Sequence, residues 1–231
     1  HDAGERVADV LEAHKGVIAT FFPDRFDEAR LLEYGKPWRV VDPGLAIKLF
    51  PSQFGTHFSI NAALDIHRLA HGPARIERVR IVSPLMKYVD RPQPATGLDG
   101  KFSLQYVAAA AILEGKVNID TFTDERRFRP DMVAMLDRIT LTQDEKIPGD
   151  FHKMHIAIEA DLTGGERVNA VCRAPKGAWG APMEPGDHRA KLLDCFSRAL
   201  TPVAMAELVE LFEKLETLDA AGVARINALI G

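Results

Sequence analysis

The chain has 231 residues, of which 46% are apolar and 27% are charged, and its formal net charge is −4. This composition is typical of a globular protein that can bury a core, and the acidic balance argues against nucleic acid or an anionic membrane as a partner. No apolar run approaches the roughly 18 residues of a membrane-spanning helix, so no membrane span is predicted.

Helices are predicted first along the chain. Apolar residues at helical spacing predict helices over 4–15, 27–34 and 57–70. The third of these is followed by Gly72-Pro73, a pair that cannot continue a helix. The first 74 residues are therefore expected to be helical apart from their loops.

At residue 76 the apolar period changes to that of strands. Alternating apolar and polar residues predict strands over 76–83, 138–143, 154–162 and 166–172. Gly164-Gly165 is a suitable turn for a hairpin between the last two strands.

Further helices are predicted within and after the strand region. Residues 101–115 and 130–139 have helical patterns, and Gly115 is suited to cap the first of these helices. After a segment rich in Pro and Gly, three more helices are predicted over 188–200, 202–216 and 219–230. This order predicts an α+β protein in which a block with the strands is inserted between helical stretches.

The two cysteines, Cys172 and Cys195, have no spacing typical of a zinc site, and the histidines form no metal-binding motif. No metal or cofactor is therefore predicted, and both cysteines are expected to be buried, unreactive thiols. Without a signal-peptide pattern, the expected compartment is the cytoplasm. Because the chain begins His1-Asp2 rather than with Met, we expect either that a tag or propeptide has been removed or that the sequence is a piece of a longer protein.

The segment KLFPSQFGTHF, residues 48–58, places polar groups just before a predicted helix. Lys48 is a flexible cation, Ser52 is a hydroxyl donor, and Thr56 and His57 lie at the helix start, where unpaired N–H groups favour an anion. A carboxylate is a suitable ligand for such a loop. The alternative is that Thr56 is only a helix cap, His57 a residue of the first turn and Lys48 a solvated lysine.

A second candidate segment is KFSLQY, residues 101–106. Lys101 and Ser103 stand at the start of a predicted helix, and Tyr106 is a hydrogen-bond donor or acid if it is buried. The alternative is that Tyr106 belongs to the core and Ser103 is a cap.

Taken together and in this order, these motifs resemble those of the MmgE/PrpD family. Its members show a Lys-x-aromatic-Pro-Ser loop ending in Thr-His, then Lys-Phe-Ser-x-x-Tyr, and then Phe-Thr-Asp-Glu. The corresponding residues here are Lys48 to His57, Lys101 to Tyr106 and Phe122 to Glu125. The family includes 2-methylcitrate dehydratases of propionate metabolism, cis-aconitate decarboxylases and iminodisuccinate epimerases.

The resemblance implies that the chain is the C-terminal portion of a family member. Residues 1–74 would then be the last part of a larger helical domain, 75–185 an α+β lid domain with a mostly antiparallel sheet, and 186–231 the return to the helical domain. The N-terminal helical half, which supplies further active-site residues in the family, would be missing from this sequence. The resemblance also implies a homodimer.

The resemblance also implies roles for individual residues. Lys48 would hold a carboxylate of the substrate, Tyr106 would hydrogen-bond the substrate or transfer a proton, and His57 is a weaker catalytic candidate. Candidate substrate-binding residues are Ser52, Gln53, Lys101 and Ser103. Gln53 stands where decarboxylase-like members carry histidine, and glutamine cannot transfer a proton at neutral pH. The acid, and the choice between dehydration, decarboxylation and epimerisation, therefore stay open.

Two functions remain at this point. The first is a metal-independent lyase or isomerase that acts on a small di- or tricarboxylate through an enolate-like intermediate. The second is a non-catalytic α+β association module that pairs with a separate helical partner.

Overall fold

The structure is a computed structural model, and the chain divides into two compact units, residues 1–45 and 46–231. The described residues are 11, 13, 16–22, 26–27, 29, 33, 35–38, 40–42 and 44–231. In the first unit, helix α1 spans Val17–Phe21. The helices predicted over 4–15 and 27–34 lie outside the described residues, apart from single positions.

The second unit is α+β, as the sequence predicted. Its helices and strands, in chain order, are α2 (Thr56–Leu69), β1 (Ile76–Ser83), α3 (Leu104–Glu114), α4 (Asp124–Arg127), α5 (Pro130–Leu136), β2 (Ile139–Gln143), β3 (Ile156–Leu162), β4 (Arg167–Cys172), α6 (Pro185–Phe196), α7 (Pro202–Glu213) and α8 (Ala220–Ile230). Every strand and helix predicted for residues 56–231 is present with small shifts of its ends.

The four strands form one mixed sheet in the order β2-β1-β3-β4. β1 pairs with β3, and β3 with β4, in antiparallel fashion, whereas β1 and β2 are parallel. The side chains of β3 are alternately buried and half-buried, as the alternation of apolar and polar residues predicted. Gly164 and Gly165 both have positive φ, which is the conformation that a tight hairpin turn requires.

Helices α2 and α3 build the core on one face of the sheet. α2 packs against β3, β4 and α3, and α5 packs against α3. Four consecutive alanines of α3, Ala108 to Ala111, are completely buried, and their small side chains allow the neighbouring elements to approach closely. This packing holds the starts of α2 and α3, which carry the predicted site residues, on a rigid support.

The start of α3 differs from the prediction. The helix begins at Leu104 rather than at Lys101, because Asp99–Phe102 form a 3₁₀ turn and Ser103 is the N-cap. The Ser103 hydroxyl accepts a hydrogen bond from the Tyr106 N–H at 2.9 Å, so the interpretation of Ser103 as a cap is confirmed. Gly115 ends the helix in the left-handed conformation, as predicted.

Helices α6, α7 and α8 follow the sheet and pack in sequence, α6 against α7 and α7 against α8. Leu208, Val209 and Ile226 are their buried apolar residues. Several other apolar side chains of this segment are exposed, namely Val203, Phe212, Leu215, Val223 and Ile230. The domain boundaries proposed at 74/75 and 185/186 stay predictions.

Within the described residues, no helix has both the length and the apolar character needed to cross a membrane. The two cysteines differ in their surroundings. Cys172 is buried, and burial raises the pKa of its thiol to about 12, which makes it unreactive. Cys195 is exposed, so the prediction that both thiols are buried was wrong for this residue, which lies on a helix with no buried side chain.

Candidate functional site

The two predicted motifs lie side by side in the structure. The Gln53 N–H donates to the Lys101 carbonyl at 3.1 Å, and the Ser59 hydroxyl donates to the Leu104 carbonyl at 3.1 Å. These bonds join α2 and the loop before it to the 3₁₀ turn that precedes α3 and to the first residue of α3. The family resemblance implies that the two motifs lie close together in the fold. Their spacing along the sequence does not predict this proximity.

The loop that carries Lys48 is fixed from its other side by the segment after β4. The Ile47 N–H donates to the Gly177 carbonyl at 2.8 Å. Gly177 has a φ of 86°, and a Cβ atom at this position would lie 2.1 Å from the Ile47 carbonyl oxygen. Only glycine therefore permits this close contact of the two backbones.

His57 is completely buried in the first turn of α2. Its ring packs against Phe50 and Phe54, with centroid distances of 5.3 and 5.5 Å. Neither ring nitrogen has a hydrogen-bond partner among the described residues. The backbone of Ser52 and Phe50 lies near enough to favour the protonated ring, but without the geometry of a hydrogen bond.

Two lysines lie close to this buried ring. The pKa of His57 is lowered from 6.5 to about 4, first by burial, then by the charge of Lys48 and, more weakly, by that of Lys191 on α6. His57 is therefore neutral at pH 7. Lys48 itself is exposed, whereas Lys191 is half-buried.

Ser52 and Gln53 hold the loop together. The Thr56 hydroxyl donates to the Ser52 hydroxyl at 2.9 Å, and the Thr56 N–H donates to the Gln53 side-chain oxygen at 3.2 Å. The Gln53 amide nitrogen donates to the phenol oxygen of Tyr88 at 3.2 Å. Gln53 thus satisfies an N–H group at the start of α2, while Thr56 is the first helical residue rather than its cap, which is Gly55.

Tyr106 is completely buried, and its hydroxyl donates to the Thr121 carbonyl at 2.5 Å. Burial raises the pKa of the phenol to about 12, although the positive charges of Arg126 and Arg127 oppose this rise. The phenol therefore keeps its proton at neutral pH. No hydrogen bond joins Tyr106 to the exposed Lys48 among the described contacts.

The remaining candidates of the second motif lie near the same turn. The Ser103 hydroxyl donates to the Arg91 carbonyl at 2.6 Å, in addition to capping α3. The Lys101 ammonium group lies 5.7 Å from the centre of the Phe122 ring, a cation–π contact. The structure thus brings Lys48 near His57, and places Ser103 and Tyr106 together at the start of α3.

A cavity of about 530 Å³ lies between α2, α6 and the two loops 49–51 and 115–119. Phe50, Leu64 and Val117 contribute apolar surface, and Lys191 lines the same cavity. Sequence reasoning missed Lys191, because nothing in the local pattern of α6 distinguishes it from a lysine on a solvated helix face. Only the folded chain brings it near the loop of residues 48–58.

The sequence pattern of the MmgE/PrpD C-terminal domain matches residues 50–217, which is more than half of the chain. The chain belongs to the MmgE/PrpD family. The matched range contains all the predicted site residues except Lys48, which stands two positions before it.

Curated MmgE/PrpD-like relatives of this chain include cis-aconitate decarboxylases. The protein of that name from Mus musculus is 28% identical over 193 residues, and the match covers 80% of this chain and 40% of the relative. The Homo sapiens protein of the same name is 25% identical over 192 residues, with the same coverage of both chains. The cis-aconitate decarboxylase-like protein oryM of Aspergillus oryzae is 24% identical over 210 residues. The chain thus spans about two fifths of the length of these relatives.

In the described part of this MmgE/PrpD chain, the His, Cys, Asp and Glu side chains form no group of three or more that could bind a metal ion. The chemistry that the described residues offer is that of ammonium groups, a neutral imidazole and protonated hydroxyls. Such groups can bind and stabilise negative charge.

Proposed function

We propose that this chain is the C-terminal part of a lyase or isomerase that acts on a small di- or tricarboxylate. The observation that carries the proposal is the pair of cations, Lys48 and Lys191, beside the neutral, buried His57. The membership in the MmgE/PrpD family and the names of the relatives support a lyase-type reaction.

The residue types suit this chemistry. Elimination, decarboxylation and epimerisation beside a carboxylate all pass through an anionic, enolate-like species, which requires a base and fixed positive charge. Lys48 is exposed and flexible enough to bind a carboxylate of the substrate. Tyr106, whose pKa is about 12, keeps its proton at neutral pH, and it would donate to the substrate only by releasing its hydrogen bond to the Thr121 carbonyl.

His57 has a more limited part in this proposal. As a neutral imidazole it can accept a proton, but a pKa of about 4 makes it a weaker base than an ordinary histidine. Ser52 and Ser103 are buried, and Gln53 and Lys101 are half-buried. We propose Gln53 and Lys101 as the substrate contacts of this group, with the two serines holding them in place.

The reaction is proposed to need neither metal nor organic cofactor, and the complete protein to be a cytoplasmic homodimer. Activity in the presence of a chelator tests the independence from metal. The mass measured by light scattering tests the homodimer. A complete loss of activity on chelation that added metal restores would contradict the metal-independent mechanism.

A substrate screen tests the function itself. The complete protein would be incubated separately with cis-aconitate, 2-methylcitrate and iminodisuccinate, and the products followed by NMR. We expect turnover of at least one of these acids. A folded complete protein that converts none of them would contradict the proposed reaction class.

The exposed apolar side chains of α7 and α8 favour the second candidate, an association module. Val203 and Ile230 are 78% and 58% exposed. A helical partner equivalent to the remaining length of the relatives would cover them. Co-purification of the chain with such a helical segment, produced separately, tests this candidate, and loss of the complex on Val203→Glu substitution is expected.

A further inference from the structure

The two hydrogen-bond partners of the Gln53 side chain fix which way its amide points. The Thr56 N–H donates to one end of the amide at 3.2 Å. A backbone N–H can only donate, so this end has to be the oxygen. The amide nitrogen therefore faces the phenol oxygen of Tyr88, to which it donates at 3.2 Å. One amide hydrogen points at Tyr88, and the second has no acceptor among the described residues.

The acidic side chains in the segment of Tyr88 do not compete for this second amide hydrogen. Asp90 accepts a hydrogen bond from the Gln105 side chain at 2.7 Å, and Asp99 pairs with Arg91. Both carboxylates are thus engaged within their own segment and by α3. The second N–H group of Gln53 remains available to a ligand.

The turn that carries Tyr88 is firmly held, although the ring of Tyr88 is not part of the core. The next residue, Val89, is completely buried. The Arg91 N–H donates to the Gln105 side-chain oxygen at 3.3 Å, and the Ser103 hydroxyl donates to the Arg91 carbonyl at 2.6 Å. Tyr88 itself is 51% exposed. The fold therefore places a solvent-accessible phenol at a fixed position beside Gln53.

The bond to Tyr88 controls the nitrogen end of the Gln53 amide. Without the phenol oxygen, only the bond from Thr56 would hold the amide, and its nitrogen would be free to turn. A site group that is held by two bonds loses less conformational freedom when it binds a ligand.

We propose that Tyr88 is a positioning residue of the substrate site, which holds the Gln53 amide so that its second N–H group donates to an oxygen of the substrate. The inference rests on the proposed function, in which Gln53 is a substrate contact. It adds a residue that lies outside both sequence motifs. It also gives position 53 a polarity, because an amide held in this way presents a donor and selects an acceptor oxygen.

The first test is NMR of the Gln53 side-chain amide in the 231-residue chain, which requires no substrate. Tyr88→Phe keeps the ring and removes only the hydroxyl, so one of the two Gln53 amide proton resonances should shift towards that of a solvated glutamine. Leu85→Ala is the matched control, since Leu85 is 48% exposed in the same segment and cannot form a side-chain hydrogen bond. Unchanged Gln53 resonances in a folded Tyr88→Phe chain would overturn the proposal.

The second test is the kinetics of the complete protein with the acid that the substrate screen identifies. Tyr88→Phe and Gln53→Ala should each raise KM about fivefold to tenfold, with kcat changed less than about twofold. The double variant should have the KM of Gln53→Ala alone, because Tyr88 acts through Gln53. A merely structural role of Tyr88 would lower thermal stability without raising KM.

The two tests separate this inference from the proposed function. An unchanged KM of Tyr88→Phe, or effects of the two substitutions that multiply in the double variant, would overturn the role of Tyr88 while the reaction stands. If the folded complete protein converts none of the acids, the proposed function fails. The amide resonances then still decide whether Tyr88 positions Gln53.

Discussion

The phenol hydroxyl of Tyr106 donates a hydrogen bond of 2.5 Å to the backbone carbonyl of Thr121, and the whole Tyr106 side chain is buried. This bond ties α3 to the turn before α4. A residue that the family resemblance assigns to the reaction thus has a structural role in this chain.

Tyr106→Phe should lower the free energy of unfolding by about 1–2 kcal/mol, because the Thr121 carbonyl loses its buried donor. Urea unfolding of the chain measures this change. The activity of the complete protein separates the two roles of the phenol. A variant with unchanged stability and strongly reduced turnover would show that the hydroxyl serves the substrate and not Thr121.

His57 should make the stability of the chain depend on pH. Its pKa falls from 6.5 to about 4 on folding, mainly through burial and then through the charges of Lys48 and Lys191. The unfolded chain therefore binds more protons between these values, so stability is complete above pH 6.5 and is lost as the pH falls towards 4. The expected loss from this one group is about 3 kcal/mol.

The measurement is urea unfolding of the chain and of His57→Gln between pH 4 and pH 7. The difference between the two proteins isolates His57 from the other titrating groups. The wild-type protein should lose more stability than the variant as the pH falls. Parallel pH profiles would mean that His57 is protonated at a similar pH in both the folded and unfolded states.

Gly177→Ala should disturb the backbone contact between Gly177 and Ile47, which holds the loop that carries Lys48. The new Cβ atom would lie 2.1 Å from the Ile47 carbonyl oxygen, at a residue with a φ of 86°. Gly180→Ala is a matched control, since Gly180 has a φ of 78° and no atom within 4 Å of a Cβ atom built there. Both variants should lose about 1 kcal/mol of stability because alanine is strained in the left-handed backbone conformation, but only Gly177→Ala adds the clash. Thermal unfolding should show a larger loss for Gly177→Ala, and equal losses would contradict the close contact.

Arg126 should contribute to stability more than its neighbour Arg129. The Arg126 side chain is only 7% exposed and pairs with Glu114 and Asp131, whereas the Arg129 side chain is 55% exposed and pairs with Asp131 alone. Removing a buried partner leaves uncompensated charge. Arg126→Ala should therefore cost about 2–3 kcal/mol and Arg129→Ala less than about 1 kcal/mol. Urea unfolding checks both values, and similar costs would contradict this difference.

The sequence pattern predicted the helices and strands of residues 56–231, but it did not predict which strands pair with each other. Alternation in the segment from Met154 to Leu162 predicted β3 and its buried face, because every second side chain of a strand points to the same side. The parallel pairing of β1 with β2 could not be predicted in this way. It depends on the crossover through α3 to α5, and side-chain alternation contains no information about strand order.

The same holds for the candidate site, whose residue types could be predicted from the sequence but whose surroundings in the fold could not. The loop pattern identified Lys48 and His57 because polar groups before a helix are visible in a short segment. The burial of Tyr106 and the approach of Lys191 are tertiary features, since both depend on elements far away in the sequence. Local patterns therefore identified residue types and helix starts, whereas the electrostatic environment of His57 required the fold.

The Lys48 ammonium group is proposed to bind the carboxylate of the substrate in the complete protein. The most direct measurement is kcat/KM of Lys48→Ala with the acid that the substrate screen identifies, beside the exposed-lysine control Lys153→Ala. We predict a loss on the order of 10²-fold for Lys48→Ala, with unchanged thermal unfolding, and no change for the control. Activity of a folded Lys48→Ala protein within about twofold of the wild type would contradict this role of Lys48.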